Sequence, residues 1–190
     1  MHATYNIALN KFKEILEFCG ENPRASVPFI VKRERISDFF DYLEDIMSSY
    51  VFAFSALEHF VNSSIPNEYI YKIERGDKKC LEVYNKEQIE RNISLETKIS
   101  GILGEIYETK NIKEDKIWLD FKKIEDIRNK IIHLKSDDSH KFKIEESSLW
   151  KDMVPNPEDN PAKVAKDIIG YYIKKFKSDD IPQWYKKCPF

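Results

Sequence analysis

The stretch SDFFDYLEDIMSSYVFAFSALEHFVNSSIP, residues 37–66, decides the fold. Leu43, Met47, Tyr50, Phe54, Leu57 and Val61 recur at alternating steps of four and three, the period that keeps side chains on one face of an α-helix. Ser37 or Asp38 offers a side-chain oxygen to the unbonded amides of a first turn. Pro66, which has no amide hydrogen and clashes with a preceding turn, stops the helix. From Tyr50 to Leu57 the helix is apolar on nearly every side, so it is expected at the centre of a helical core. The longest uncharged run, Ile46 to Leu57, has the length of a buried core helix and falls short of the roughly 20 residues that span a bilayer.

Working outward, Ile7, Leu9, Phe12, Ile15 and Leu16 predict a helix over Tyr5 to Phe18 that Gly20 ends, followed by a linker from Glu21 to Pro28. Between Tyr69 and Tyr84 the period changes: Tyr-Ile-Tyr-Lys-Ile-Glu, then Gly76-Asp77, then Cys-Leu-Glu-Val-Tyr read as a small hairpin or an irregular insertion. Ser94 caps a helix through Leu95, Ile99, Ile102, Leu103 and Ile106 that is expected to end near Asn111. A further helix, from about Glu114 to Lys135, carries Ile117, Trp118, Phe121, Ile124, Ile127, Ile131 and Leu134 on its inner side. Past an acidic loop with Pro155 and Pro157, Asn160-Pro161 is a cap and first-turn proline for a last helix that buries Val164, Ile168, Ile169, Tyr172 and Phe176. The reading is an all-α bundle of about five to six helices forming one domain over residues 1–190.

Composition narrows the function. Three cysteines, Cys19, Cys80 and Cys188, are too few and too scattered for a disulfide framework or a zinc site, so a reducing cytoplasm is the expected compartment, with no metal or other cofactor and no membrane partner. Lys11, Lys13, Glu14 and Glu17 interrupt the apolar positions that a signal peptide needs near its start. Phosphate-binding glycine loops, a Gly-x-Ser-x-Gly elbow and a His-Glu-x2-His zinc signature are all missing from the sequence, which sets aside ATPase, α/β-hydrolase and zincin chemistry. A net charge of −2 argues against a surface that is cationic throughout. Locally the balance reverses: Lys122, Lys123, Arg128, Lys130, Lys135, Lys141 and Lys143 face only Glu125, Asp126, Asp137 and Asp138, seven minus four, a local +3.

Inside that basic segment lies Ile127-Arg128-Asn129-Lys130-Ile131-Ile132-His133. At about 100° per residue, Asn129 and His133 share one helix face a turn apart, with Arg128 beside them and Glu125 nearly in line. A permanent cation, an amide and an imidazole suit phosphate chemistry. An earlier marker, Ser55-Ala56-Leu57-Glu58-His59-Phe60-Val61-Asn62, lies on the central helix. Arg91-Asn92 repeats the start of the motif but has Leu95 and Glu96 where a His is needed, and is expected to be inert.

Together the two markers resemble the HEPN superfamily, all-α domains with an Arg-x(4 to 6)-His motif on the third or fourth helix, here Arg-x4-His, over roughly Asp38 to Ser136. The C-terminal helix and Pro182-Gln183-Trp184 are a weaker echo. Many members are metal-independent ribonucleases of bacterial toxin and defence systems, commonly dimeric. Others are non-catalytic modules that bind nucleotides or partners. The resemblance implies RNA or a nucleotide as ligand, a homodimer, and a cognate antitoxin or defence partner. Cleavage by a ribose 2′-OH needs proton transfer, a cation for the phosphorane charge and a group that holds the strand. His133 is the acid/base candidate, Arg128 the phosphate ligand and Asn129 the orienting amide, with Glu58, His59 and Glu125 as possible supports. The competing structural reading pairs Arg128 with Glu125, Asp126 or Glu58 and leaves His133 as a helix-end residue near the terminal carbonyls.

Overall fold

The computed structural model describes residues 2–19, 31, 33–75, 80–133, 149, 153, 160–176, 181 and 183–187. The protein is mostly helical, with one two-stranded sheet among the described residues. In chain order come α1 (His2–Cys19), a 3-10 turn (Arg33–Arg35), α2 (Ile36–Ser63), β1 (Tyr71–Arg75), β2 (Cys80–Tyr84) and α3 (Lys86–Asn92). Then follow α4 (Leu95–Thr97), a π-helical turn (Lys98–Ile102), α5 (Leu103–Ile106), a 3-10 turn (Ile112–Glu114), α6 (Lys116–Ile132), α7 (Pro161–Ile173) and α8 (Gln183–Lys186). No described helix is long and apolar enough to cross a membrane.

The chain divides into two compact units. The first comprises Met1–Phe54 and Asp120–Ala165, the second Ser55–Leu119 and Lys166–Phe190. In the first, Tyr5, Ala8, Phe12 and Ile15 of α1 are buried, as are Tyr42, Leu43, Ile46, Tyr50, Ala53 and Phe54 of α2. The Phe12 and Tyr42 rings meet at 5.0 Å, and Lys11 bonds Asp45 at 2.6 Å beside them. Aspartates around Lys11 raise its pKa, the side-chain bond to Asp45 being the main cause. Tyr42 donates its hydroxyl to the Met153 carbonyl, and burial pushes its pKa up, so it stays a protonated donor. At the start of α7, Asn160 Oδ1 accepts from the amides of Ala162 and Lys163 at 3.0 and 3.3 Å, the cap expected ahead of Pro161.

In the second unit, Leu57, Val61 and Ile65 lie in a core with Ile89, Ile99, Ile102, Leu103, Ile168, Ile169 and Tyr172. Ser94 caps α4 by accepting from Thr97 N at 3.1 Å. The helix then widens, which spacing alone did not reveal. Leu103 N bonds Lys98 O, five residues back, so Ile99 O loses the donor it would have in a regular α-helix. Tyr172 supplies the replacement, its hydroxyl reaching Ile99 O at 2.5 Å, and Tyr107 packs on the Tyr172 and Phe176 rings at 6.0 and 5.2 Å. Gly170 on α7 leaves room for the Tyr185 hydroxyl of α8, which would have to shift if a Cβ stood there.

Several boundaries differ from the sequence reading. The Ser94 helix ends at Ile106 instead of near Asn111, since Glu108 adopts φ 48°, a left-handed conformation that no helix continues through. The motif helix starts at Lys116, after a separate 3-10 turn, with Asp115 Oδ1 accepting from Ile117 N at 3.1 Å. Of residues 69–84, Tyr71–Arg75 and Cys80–Tyr84 pair as antiparallel strands, with Tyr71 opposite Tyr84, Ile73 opposite Glu82 and Arg75 opposite Cys80. The helix α3 was not anticipated. The Gly76-Asp77 turn, the Glu21 to Pro28 linker, and Leu134 and Lys135 lie outside the described residues.

Two stability outcomes follow. Asn160→Ala should lower the unfolding free energy by about 1 kcal/mol through the lost cap. Tyr172→Phe should cost about 1–3 kcal/mol, because Ile99 O is left buried without this donor. Urea unfolding followed by circular dichroism measures both, and a Tyr172→Phe variant as stable as wild type would contradict the role given to that hydroxyl.

Candidate functional site

The face that α6 buries sets where the motif residues go. Phe121, Ile124 and Ile127 are buried, and Arg128 stands four residues after Ile124 and seven after Phe121, at the margin of the same stripe. Its apolar stem is half-buried and its guanidinium lies 4.8 Å from the Phe54 ring centroid, a cation over an aromatic face. Phe54 is in turn stacked on Phe121, with centroids 6.3 Å apart and planes at 15°. The guanidinium is thus held on a platform of two rings contributed by α2 and α6.

Around it the carboxylates are already engaged. Glu125 accepts from Lys122, and Asp126 accepts from Lys130 at 2.8 Å. Exposed pairs of this kind contribute only about 0–1 kcal/mol, so their consequence is charge placement more than stability. Arg128 makes no ion pair with any described residue, and Nη1 donates to Asn129 Oδ1 at 2.9 Å. Of the competing reading, the pairing of Arg128 with Glu125 or Asp126 is not formed, whereas His133 does stand at the helix end. Asn129 and His133 are exposed, and His133 N closes the last helical bond to Asn129 O at 2.9 Å, stacking the two residues one turn apart as expected. Arg128, Asn129 and His133 thus lie at the end of α6, with the Arg128 side chain bonded to that of Asn129. Two grooves among the described residues lie elsewhere: one, of about 200 Å³, lies among Lys11, Glu14, Ile15, Arg35, Asp38 and Asp41. The other, of about 340 Å³, lies among Asn67, Asn85, Lys86, Glu87 and Glu90.

Glu58 and His59 belong to the second unit, whereas the motif belongs to the first. His59 is exposed, and Glu58 is half-buried and acts electrostatically on Lys98. Arg91 pairs with Glu87 at 2.9 Å on the surface of α3. No group of three or more His, Cys, Asp or Glu among the described residues is placed to hold a metal ion.

Sequence reasoning passed over Lys98. It is 1% exposed, with Nζ donating to Asn62 Oδ1 and to Glu90 O, each at 2.9 Å. The first bond ties the π-helical turn to the end of α2, and the second satisfies a carbonyl in the last turn of α3. The signal was present: Leu95, Lys98, Ile99 and Ile102 stand at i, i+3, i+4 and i+7, so a lysine occupies a position of the apolar stripe. Burial lowers the Lys98 pKa, opposed by the Glu58 and Glu90 carboxylates.

The pH dependence has a definite sign. Folded Lys98 releases its proton below the ordinary 10.5, so in the window between the folded and unfolded pKa the unfolded chain holds more protons and stability rises with pH. In wild type minus Lys98→Met, where the tyrosines cancel, the unfolding free energy should rise with pH across that window. A flat or falling difference would contradict it. Comparison with protein-family models, with curated proteins and with solved structures finds no match to this chain.

Proposed function

We propose that this protein is a metal-independent endoribonuclease, an all-α, HEPN-like bundle of the cytoplasm with a toxin or phage-defence role. In this reading Arg128, Asn129 and His133 form half of a composite site that a two-fold homodimer completes. The observation that carries it is the Arg128 guanidinium, which has no carboxylate partner among the described residues, rests on Phe54, and bonds the exposed Asn129 amide one turn before the exposed His133. A guanidinium already spent on a carboxylate would have to exchange partners to bind phosphate. This one presents its remaining donors directly.

The chemistry follows from the groups. Arg128 binds the non-bridging phosphate oxygens and opposes the charge that builds on them, and Asn129 orients the strand. One His133 imidazole takes the 2′-OH proton as the P–O2′ bond forms. The imidazolium of the second copy gives a proton to the 5′-oxygen as the P–O5′ bond breaks, leaving a 2′,3′-cyclic phosphate and a 5′-hydroxyl. No step needs a metal ion. A cognate antitoxin would act by covering this helix end.

Incubation of single-stranded RNA with the purified protein in EDTA tests the reading. Wild type should cleave to cyclic-phosphate ends. His133→Ala should lose about 10²- to 10⁴-fold in rate, the usual consequence of removing a proton-transfer group, and Arg128→Ala should come close to that loss. Both variants should remain folded, since His133 is exposed and Arg128 only borders the core. Equal cleavage by wild type and His133→Ala would identify a contaminant. No cleavage by any form from pH 5 to 9 would favour a non-catalytic module that binds a nucleotide or a protein partner.

A further inference from the structure

The hairpin presents an edge whose pattern is complementary to itself. Along β1, Lys72 and Glu74 are exposed and alternate with half-buried Tyr71 and Ile73. Their neighbours across the ladder are Val83 and Leu81, each 50% exposed, so the outer face of the sheet sets each charge beside an apolar residue. Neither Lys72 nor Glu74 makes an ion pair among the described residues. No backbone hydrogen bond joins β1 to a described residue other than those of β2. In an antiparallel pair, alternate residues turn their N–H and C=O groups away from the partner strand, so the outer side of β1 carries a row of donors and acceptors with no backbone partner among the described residues. A two-stranded hairpin is itself marginal, and additional strands stabilise it.

We infer that β1 pairs antiparallel with β1 of a second copy about a two-fold axis at Ile73, giving a four-stranded sheet in the order β2, β1, β1, β2. That register places Lys72 of each copy opposite Glu74 of the other and sets the two Ile73 residues face to face. Two cross-strand ion pairs form between charges that, within one copy, have no ion-pair partner among the described residues. Neighbouring registers fail. A shift of one residue turns Tyr71 and Ile73 to the wrong face, and pairing about Lys72 or Glu74 sets like charges opposite each other. The equivalent central pairing of β2 would set Glu82 against Glu82. The association is independent of the ribonuclease reading and uses a surface on a different part of the chain from the motif helix.

Sedimentation equilibrium over a micromolar to near-millimolar series tests it. Wild type should associate with increasing concentration, less so in high salt. K72E and E74K should each weaken that association by about tenfold, since each turns two attractive pairs repulsive. K72E/E74K, which restores opposite charges in reversed order, should return to within about threefold of wild type. A mass that stays monomeric throughout, an association unmoved by K72E, or a double variant no tighter than the single ones would each overturn the inference. Unchanged far-ultraviolet circular dichroism of the variants excludes misfolding as the cause. Association that depends on Arg128 or His133 and ignores the hairpin charges would instead belong to the motif helix.

Discussion

Each polar group carried into an apolar interior has to find a partner there, and the widened turn Lys98–Ile102 is where this constraint organises the second unit. The π-helical turn takes the Leu103 amide away from Ile99 O, and the Tyr172 hydroxyl takes its place. The same turn carries the Lys98 ammonium, which reaches the side chain of Asn62 on α2 and the Glu90 carbonyl on α3. Four elements are thereby joined by three hydrogen bonds with little solvent access. A buried donor or acceptor left unpaired costs about 1–3 kcal/mol, and more when charged, so these contacts select one arrangement of the helices more sharply than non-directional apolar packing does. Burial penalises the ammonium, and the carboxylates of Glu58 and Glu90 act against that penalty.

The first unit handles its own intruding cation differently. Arg128 also stands on an apolar stripe, but at its margin, so its stem packs while its head reaches the Phe54 ring and the helix surface. Lys98 is enclosed and held by two hydrogen bonds to neighbouring elements, which marks it as structural. Arg128 keeps donors available, with no carboxylate among the described residues to take them. The two residues illustrate how a cation on an apolar stripe divides into two cases, and depth of burial together with carboxylate supply decides between them.

Much of the helical plan was readable because it depends on local chemistry: the α2 stripe, the Ser94 and Asn160 caps and the Tyr69 to Tyr84 change of period all rest on spacing or on one side chain reaching a nearby amide. The π-helical turn was not, since Leu95, Ile99, Ile102, Leu103 and Ile106 satisfy a regular helix equally well, and what widens the turn involves Asn62, Glu90 and Tyr172 from elsewhere in the chain. Helix α3 has seven residues and one buried apolar side chain, Ile89, too few for a period to appear. Its readable signal was the Asn85 and Gln88 capping box, in which each side chain bonds the other's backbone amide. At the motif, spacing alone stacked Asn129 with His133. The Phe54 platform and the capture of Glu125 and Asp126 by lysines needed coordinates, because a sequence lists possible ion pairs without ranking them.

A single motif per chain also bears on why two copies would be required. In-line displacement at phosphorus removes a proton from the entering oxygen and delivers one to the leaving oxygen on the opposite side of the phosphate. One imidazole at a helix end faces one of those oxygens. A two-fold axis beside His133 would place a second, identical imidazole on the far side and would double the guanidinium around the developing charge, without any further residue in the sequence. The exposure of Asn129 and His133 at the end of α6 is compatible with such an axis, whereas an imidazole enclosed within the apolar core would not be. One imidazole would take up a proton while the other delivers one, so chemically identical groups would fill opposite roles in a single displacement.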